Sequence, residues 1–222
     1  IALAGIVITG MLWRASPIAL NRFHEDEALY AYWGLQVATG ADPMLNQYPV
    51  DKPPLFPYLL SLLFMVAGPS ETVARLPGLI ASGISLLLVA NIGRRVYGKA
   101  VAVVAAGALA ICPLDVAFAG TVFTDPLLAM WTLAALAAAL AGRPAVCGLL
   151  FGLAFATKQQ AVLFAPLLAA SFIPSRTPAG RPVVERPANP SAWRRIGWWL
   201  QGAWSRPAVR GLLGAILGSA PV

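Results

Sequence analysis

The chain has 222 residues, of which 59% are hydrophobic and only 11% charged, with a mean hydropathy of +0.72. Uncharged apolar runs recurring from end to end exclude an ordinary soluble domain and point to an all-α, polytopic transmembrane helical bundle, while the absence of strand-type alternation argues against a membrane β-barrel. The net charge of +7 does not call for a nucleic-acid partner, because the basic residues stand beside apolar segments in the pattern of positive-inside bias.

Apolar segments fall at about 1–20, 54–68, 76–93, 100–120, 126–142, 145–157, 160–173 and 196–220. Both ends, at Ile1 and Val222, lie in or beside apolar runs, so the chain reads as a fragment of a longer membrane protein. Its first segment reads as a signal anchor rather than a cleaved leader. After that segment, His24-Glu25-Asp26-Glu27 puts three of the nine acidic residues into four positions. Carboxylates beside lipid are costly and need water, a cation or a chemical role. The run from Asp26 to Trp33 predicts a helix lying in the interface, its acids complementing the helix dipole and Tyr30 and Trp33 supplying interfacial aromatics. Capping and solvation suffice for Glu25 and Glu27; spacing alone leaves Asp26 open.

Asp51-Lys52-Pro53-Pro54 sets an opposite-charge pair before a rigid double proline, which fixes where the lysine points. Such a lysine suits a phosphate as a point charge, although a solvated pair closing a loop reads the same way. A spanning helix needs about 20 residues. Placing Arg94, Arg95, Lys99 and Arg143 in the cytoplasm makes 76–93 run inward, 100–120 outward and 126–142 inward again. Segment 54–68 is then re-entrant or interfacial, within a first outer loop of about 21–75.

Asp115 beside Pro113 reads as a boundary residue. Thr124-Asp125-Pro126 reads as a helix start with Asp125 as the cap and Pro126 in the first turn. Segments 145–157 and 160–173 form a hairpin whose tip carries Lys158 outward. The alternative, one long kinked helix, strands that lysine in mid-membrane at roughly 2.5–3.5 kcal/mol. Residues 174–195 read as a cytoplasmic Pro/Arg-rich loop. Trp193, Trp198, Trp199 and Trp204 form an interfacial belt where the next, truncated transmembrane helix begins at 196–222. Cys112 and Cys147, both inside apolar runs, read as small buried hydrophobes.

This topology puts Glu25, Asp26, Glu27, Asp51, Lys52, Asp125 and Lys158 on one side, as a polar cavity for a charged group at the lipid surface. The motifs that supply them occur in a recognisable order: Asp26-Glu27-Ala28-x-Tyr30-Ala31, Asp51-Lys52-Pro53-Pro54, Arg75-Leu76-Pro77, Gly93 to Gly98, Phe123 to Leu128, and Gly152 to Lys158. Over residues 1–173 the chain resembles the polyprenyl-phosphate-dependent GT-C glycosyltransferases. More narrowly, it is similar to the group holding protein O-mannosyltransferases, aminoarabinose transferases of lipid A and RgtA/B/C/D-like bacterial glycosyltransferases.

The resemblance implies inverting transfer of a sugar from a polyprenyl-phosphate donor to a lipid, glycan or protein acceptor, on the periplasmic face of the inner (plasma) membrane. It maps the catalytic base onto Asp26 and a second acidic position onto Asp125. Lys52 is expected to stabilise the leaving phosphate, Lys158 matches a recurrent lysine of the family and is read here as a second phosphate ligand, and Glu27, Tyr30 and Asp51 are read as supporting residues. The chemistry agrees: one carboxylate takes the acceptor proton, and a phosphate leaves as an anion without a second acid. The chain departs from the pattern in its extra acid Glu25 and in Asp51, where glutamate is frequent. The resemblance implies no fixed cofactor, since metal use varies in the wider class; His24 with Asp51 could hold a divalent ion, although a lone histidine at a helix start more simply reads as polar surface. The rival reading is a multi-pass transporter with an acidic outer-face site. A transporter should show repeated halves and midplane charges, whereas the chain has no internal repeat and its acids sit at segment ends.

Overall fold

A computed structural model describes residues 2–16, 22–47 and 49–172, and the only regular structure among them is helical. The chain divides into two compact units, Ile1–Pro174 and Ser175–Val222. The second lies outside the described residues, as do the proline-rich stretch, the four tryptophans and the segment from 196 named above.

The first unit contains helices α1 (Ala2–Ala15), α2 (Glu25–Ala38), α3 (Leu55–Ala67), α4 (Glu71–Tyr97), α5 (Lys99–Ala110), α6 (Pro113–Ala119), α7 (Asp125–Leu140), α8 (Pro144–Thr157) and α9 (Ala165–Ala170). A 3-10 turn, Gln159–Phe164, joins the last two. Among the described residues, α4 is the one helix long and apolar enough to cross a membrane by itself, and α5 with α6 qualifies only as a bent pair. At 16 residues, α7 rises roughly 24 Å, short of a hydrocarbon core of about 30 Å.

Helix α4 starts earlier than its apolar run, because Ser70 caps it by accepting from the Val73 N–H at 3.2 Å. The first turns of α4 therefore occupy part of the expected outer loop and carry Arg75 into the protein interior. The second expected crossing is broken: α5 and α6 meet at 62°. Pro113 disfavours the helical conformation at Cys112, which is extended, and lacks the N–H that would continue the ladder. The break frees the carbonyls of Leu109 and Ala110, and the fully buried Arg14 donates to both, at 2.8 and 2.9 Å. The same guanidinium donates to Ser82 Oγ at 2.8 Å and pairs with Asp115. Asp115 is thus not simply a boundary residue. It neutralises an arginine that ties α1, α4, α5 and α6 together.

Helices α2 and α3 are too short to span and pack closely; a Cβ on Gly34 would sit 2.6 Å from that of Leu60. Tyr30 and Trp33 do not lie in an interface. They are 8% and 1% exposed, within the core formed by Phe56, Leu60, Phe64, Ala74 and Val122. The exposed face of α2 carries Leu29 and Tyr32 instead. Between α8 and α9 the chain doubles back: Ala161 packs with Leu128 and Ala154, whereas Leu168 packs with Ala135, Ala139 and the buried Cys147. That is a hairpin, not one kinked helix. Cys147 and the half-buried Cys112 are both free thiols.

Ala74 and Ala81 share a core with Val122, Leu127 and Met130, so α4 and α7 begin at the same end of the unit. Arg94, Arg95, Lys99 and Arg143 consequently gather at the opposite end.

Candidate functional site

The acidic cluster divides into a frame and a free carboxylate. At the start of α2, His24 Nδ1 accepts from the Asp26 N–H at 3.4 Å and Glu27 Oε2 accepts from the His24 N–H at 2.9 Å, a capping box. Glu27 is only 4% exposed. Its other oxygen accepts from the Val122 N–H at 2.9 Å and lies 3.6 Å from Arg75 Nε. Arg75 is 1% exposed, and its guanidinium stands 5.1 Å over the Phe23 ring. Glu27 therefore joins α2, α4 and the loop before α7. Asp26 points away from this frame, its side chain well exposed and its carboxylate 3.9 Å from His24 Nδ1.

One turn on, the Tyr30 ring packs against Trp33, Phe56 and Phe123. Its phenol lies within electrostatic reach of Lys52, Asp51, Asp26 and Asp125. Burial pushes the phenol above its ordinary range; Lys52 opposes that shift, and the three carboxylates reinforce it. Tyr30 thus stays protonated and available as a donor. Lys52 is paired with Asp51, whose hydrogen bond pushes the ammonium above the ordinary lysine range. Partial burial works against this shift, and Tyr30 is a weaker second partner. The loop is anchored from the hairpin, where Gln159 Nε2 donates to the Asp51 carbonyl at 3.0 Å.

Asp125 does not cap α7. Thr124 holds the cap position without a side-chain cap hydrogen bond, and the Asp125 carboxylate accepts from Lys158 Nζ at 2.7 Å. Lys158 ends α8 in an extended conformation, φ −156° and ψ 129°, so the hairpin tip delivers its side chain to the start of α7. Four sequence-derived candidates, Asp26, Asp51, Lys52 and Asp125, thus lie within electrostatic reach of Tyr30, and Lys158 joins them through its bond to Asp125, while Glu27 serves the frame and His24 the cap. For a divalent ion the fit is poor: among the described residues no three His, Cys, Asp or Glu side chains are grouped to hold one. Asp51 pairs with Lys52 rather than with His24.

Sequence reasoning missed Arg14 altogether and saw Arg75 only as part of a motif, without its buried pairing. The signal was an isolated charge inside or at the edge of an apolar run, Arg14 in 1–20 and Arg75 before 76–93, a position tolerated only with a partner.

Residues 51–183 match the family described as Dolichyl-phosphate-mannose-protein mannosyltransferase. The chain belongs to this family. The match spans more than half of the chain and includes Asp51, Lys52, Arg75, Asp125 and Lys158. Asp26, Glu27 and Tyr30 lie before it, joined to this mannosyltransferase-family region through the contacts just described. No curated protein and no solved structure matches the chain.

Proposed function

We propose that the chain carries the catalytic end of a multi-pass membrane glycosyltransferase. It would move a sugar, with inversion, from a polyprenyl-phosphate donor to an acceptor hydroxyl on the periplasmic face of the inner membrane. The observation that carries this reading is the convergence, in a member of this family, of one free carboxylate and two lysine–aspartate pairs around a buried tyrosine.

Asp26 is the general base. It is exposed to an incoming acceptor and held at the first turn of α2, where it takes the hydroxyl proton as that oxygen attacks the anomeric carbon. Lys52 and Lys158 stabilise the departing phosphate, and Tyr30 donates to it or to the donor sugar. Asp125 orients the acceptor, while Asp51 keeps Lys52 protonated and placed. Sidedness rests on charge: the basic far end marks the cytoplasm, leaving this end outside.

The reading is tested by supplying membranes with radiolabelled polyprenyl-phosphate sugar and comparing wild type with Asp26→Asn. Loss of a positioned base should lower transfer by about 10²- to 10⁴-fold with insertion and yield unchanged. Wild-type transfer by Asp26→Asn would remove the base assignment.

A further inference from the structure

We propose that the Asp125–Lys158 ion pair is an exchangeable latch: the donor phosphate must take Lys158 from Asp125 before Asp125 can meet the acceptor, so that donor binds first. This rests on the reading of Lys158 as a phosphate ligand and adds an order of events to it.

Three observations carry the inference. Lys158 Nζ is bonded to Asp125 Oδ1 at 2.7 Å, so in the resting site the cation offered to a phosphate is already engaged by an internal anion. The pair is part-buried and opens to solvent on the carboxylate side, with Asp125 at 45% and Lys158 at 16% side-chain exposure. An incoming anion can therefore approach it from the Asp125 side, and a partly exposed pair is held less firmly than a fully buried one. The charges also bear on the sequence of binding: Asp26, Asp51 and Asp125 face Lys52 and Lys158, a local balance of one negative charge. Both lysines are already paired, so an anionic donor gains a cation here only by displacing a carboxylate from a lysine. Asp125 can yield because its carboxylate is half open to solvent, and Lys158 can swing because it sits at a break between two helical segments. Once the phosphate holds Lys158, the Asp125 carboxylate is unpaired beside Tyr30 and ready to accept from a hydroxyl.

The latch makes Asp125 an internal competitor of the donor. If the pair is closed about two-thirds to nine-tenths of the time, releasing it tightens phosphate binding about three- to tenfold. The experiment is a binding titration of detergent-solubilised full-length protein with polyprenyl monophosphate, the bare lipid phosphate. Asp125→Asn should lower Kd by that factor, Lys158→Met should raise it, and Asp125→Asn should change nothing in the Lys158→Met background. Asp125→Glu, which retains the competing charge, should bind as wild type does; this also guards against an indirect effect of Asp125→Asn on folding. Unchanged or weaker binding by Asp125→Asn, with Lys158→Met still impaired, would overturn the latch while leaving the phosphate assignment standing. If neither Lys52→Met nor Lys158→Met weakens binding, the phosphate assignment itself fails, and the latch with it.

Discussion

Besides an exposed Arg22–Glu71 contact at 3.7 Å, two kinds of ion pair matter to the frame and the site. Of the arginine pairs, Arg75–Glu27 has both partners buried, while in Arg14–Asp115 the arginine is fully buried and the carboxylate partly so. Arg14 engages several acceptors at once: two freed helix carbonyls, a serine hydroxyl and a carboxylate. The lysine pairs, Lys52–Asp51 and Lys158–Asp125, sit at loop and hairpin tips with their carboxylates open to solvent. The side-chain chemistry explains the division. A planar guanidinium can satisfy several acceptors in fixed directions, whereas an ammonium is a movable point charge. Arginine therefore stabilises the frame, and lysine stays exchangeable at the site.

Breaking the frame should have the largest effect. Arg75→Met takes the countercharge from the buried Glu27, and Arg14→Met strips the donor from two helix carbonyls and the countercharge from the part-buried Asp115, each a loss of about 3–5 kcal/mol, to be seen as collapse of the melting temperature or of yield in detergent. Sidedness comes next. Single cysteines at positions 26, 51 and 125 should react with an impermeant reagent from one face of sealed vesicles, and a cysteine at position 95 from the other. Labelling of 51 and 125 from opposite faces would separate the two lysine pairs and end the single-site account.

A pH profile probes Lys52 more finely. Its raised pKa means the ammonium persists to higher pH than in the unfolded chain. The stabilisation from its pair with Asp51 is therefore complete below the ordinary lysine pKa and fades only as pH rises through the folded value. Transfer should show no Lys52-dependent loss between pH 7 and about 9, below the ordinary lysine pKa of roughly 10.4. A Lys52-dependent limb near neutral pH would contradict the pairing. Glu25→Gln should do least, within about 0.5 kcal/mol in stability and with unchanged transfer, since no contact gives Glu25 a place in either set.

Much of the site was legible because its residues break the apolar pattern at segment ends. Asp51-Lys52 before two prolines and Asp125 before Pro126 announce themselves as local motifs. What α2 buries was not legible: Tyr30 and Trp33 look interfacial by residue type, and only the packing of α2 on α3 and on Phe123 in the loop before α7 puts them in the core. Asp125 resembled a cap because its sequence neighbours fit one, while its partner Lys158 lies 33 residues away. The Arg14 network spans about 100 residues of sequence, beyond any local signal, and it exists because Pro113 breaks a helix whose carbonyls then need a donor.

The division of labour between the pairs is tested most directly by measuring melting temperature and sugar transfer on the same preparations of Lys52→Met, Lys158→Met, Arg14→Met and Arg75→Met. The account predicts lysine variants that melt close to wild type yet lose most of their transfer, and arginine variants that lose their melting transition or their yield. Lysine variants that transfer at wild-type rates, or that unfold as the arginine variants do, would contradict it.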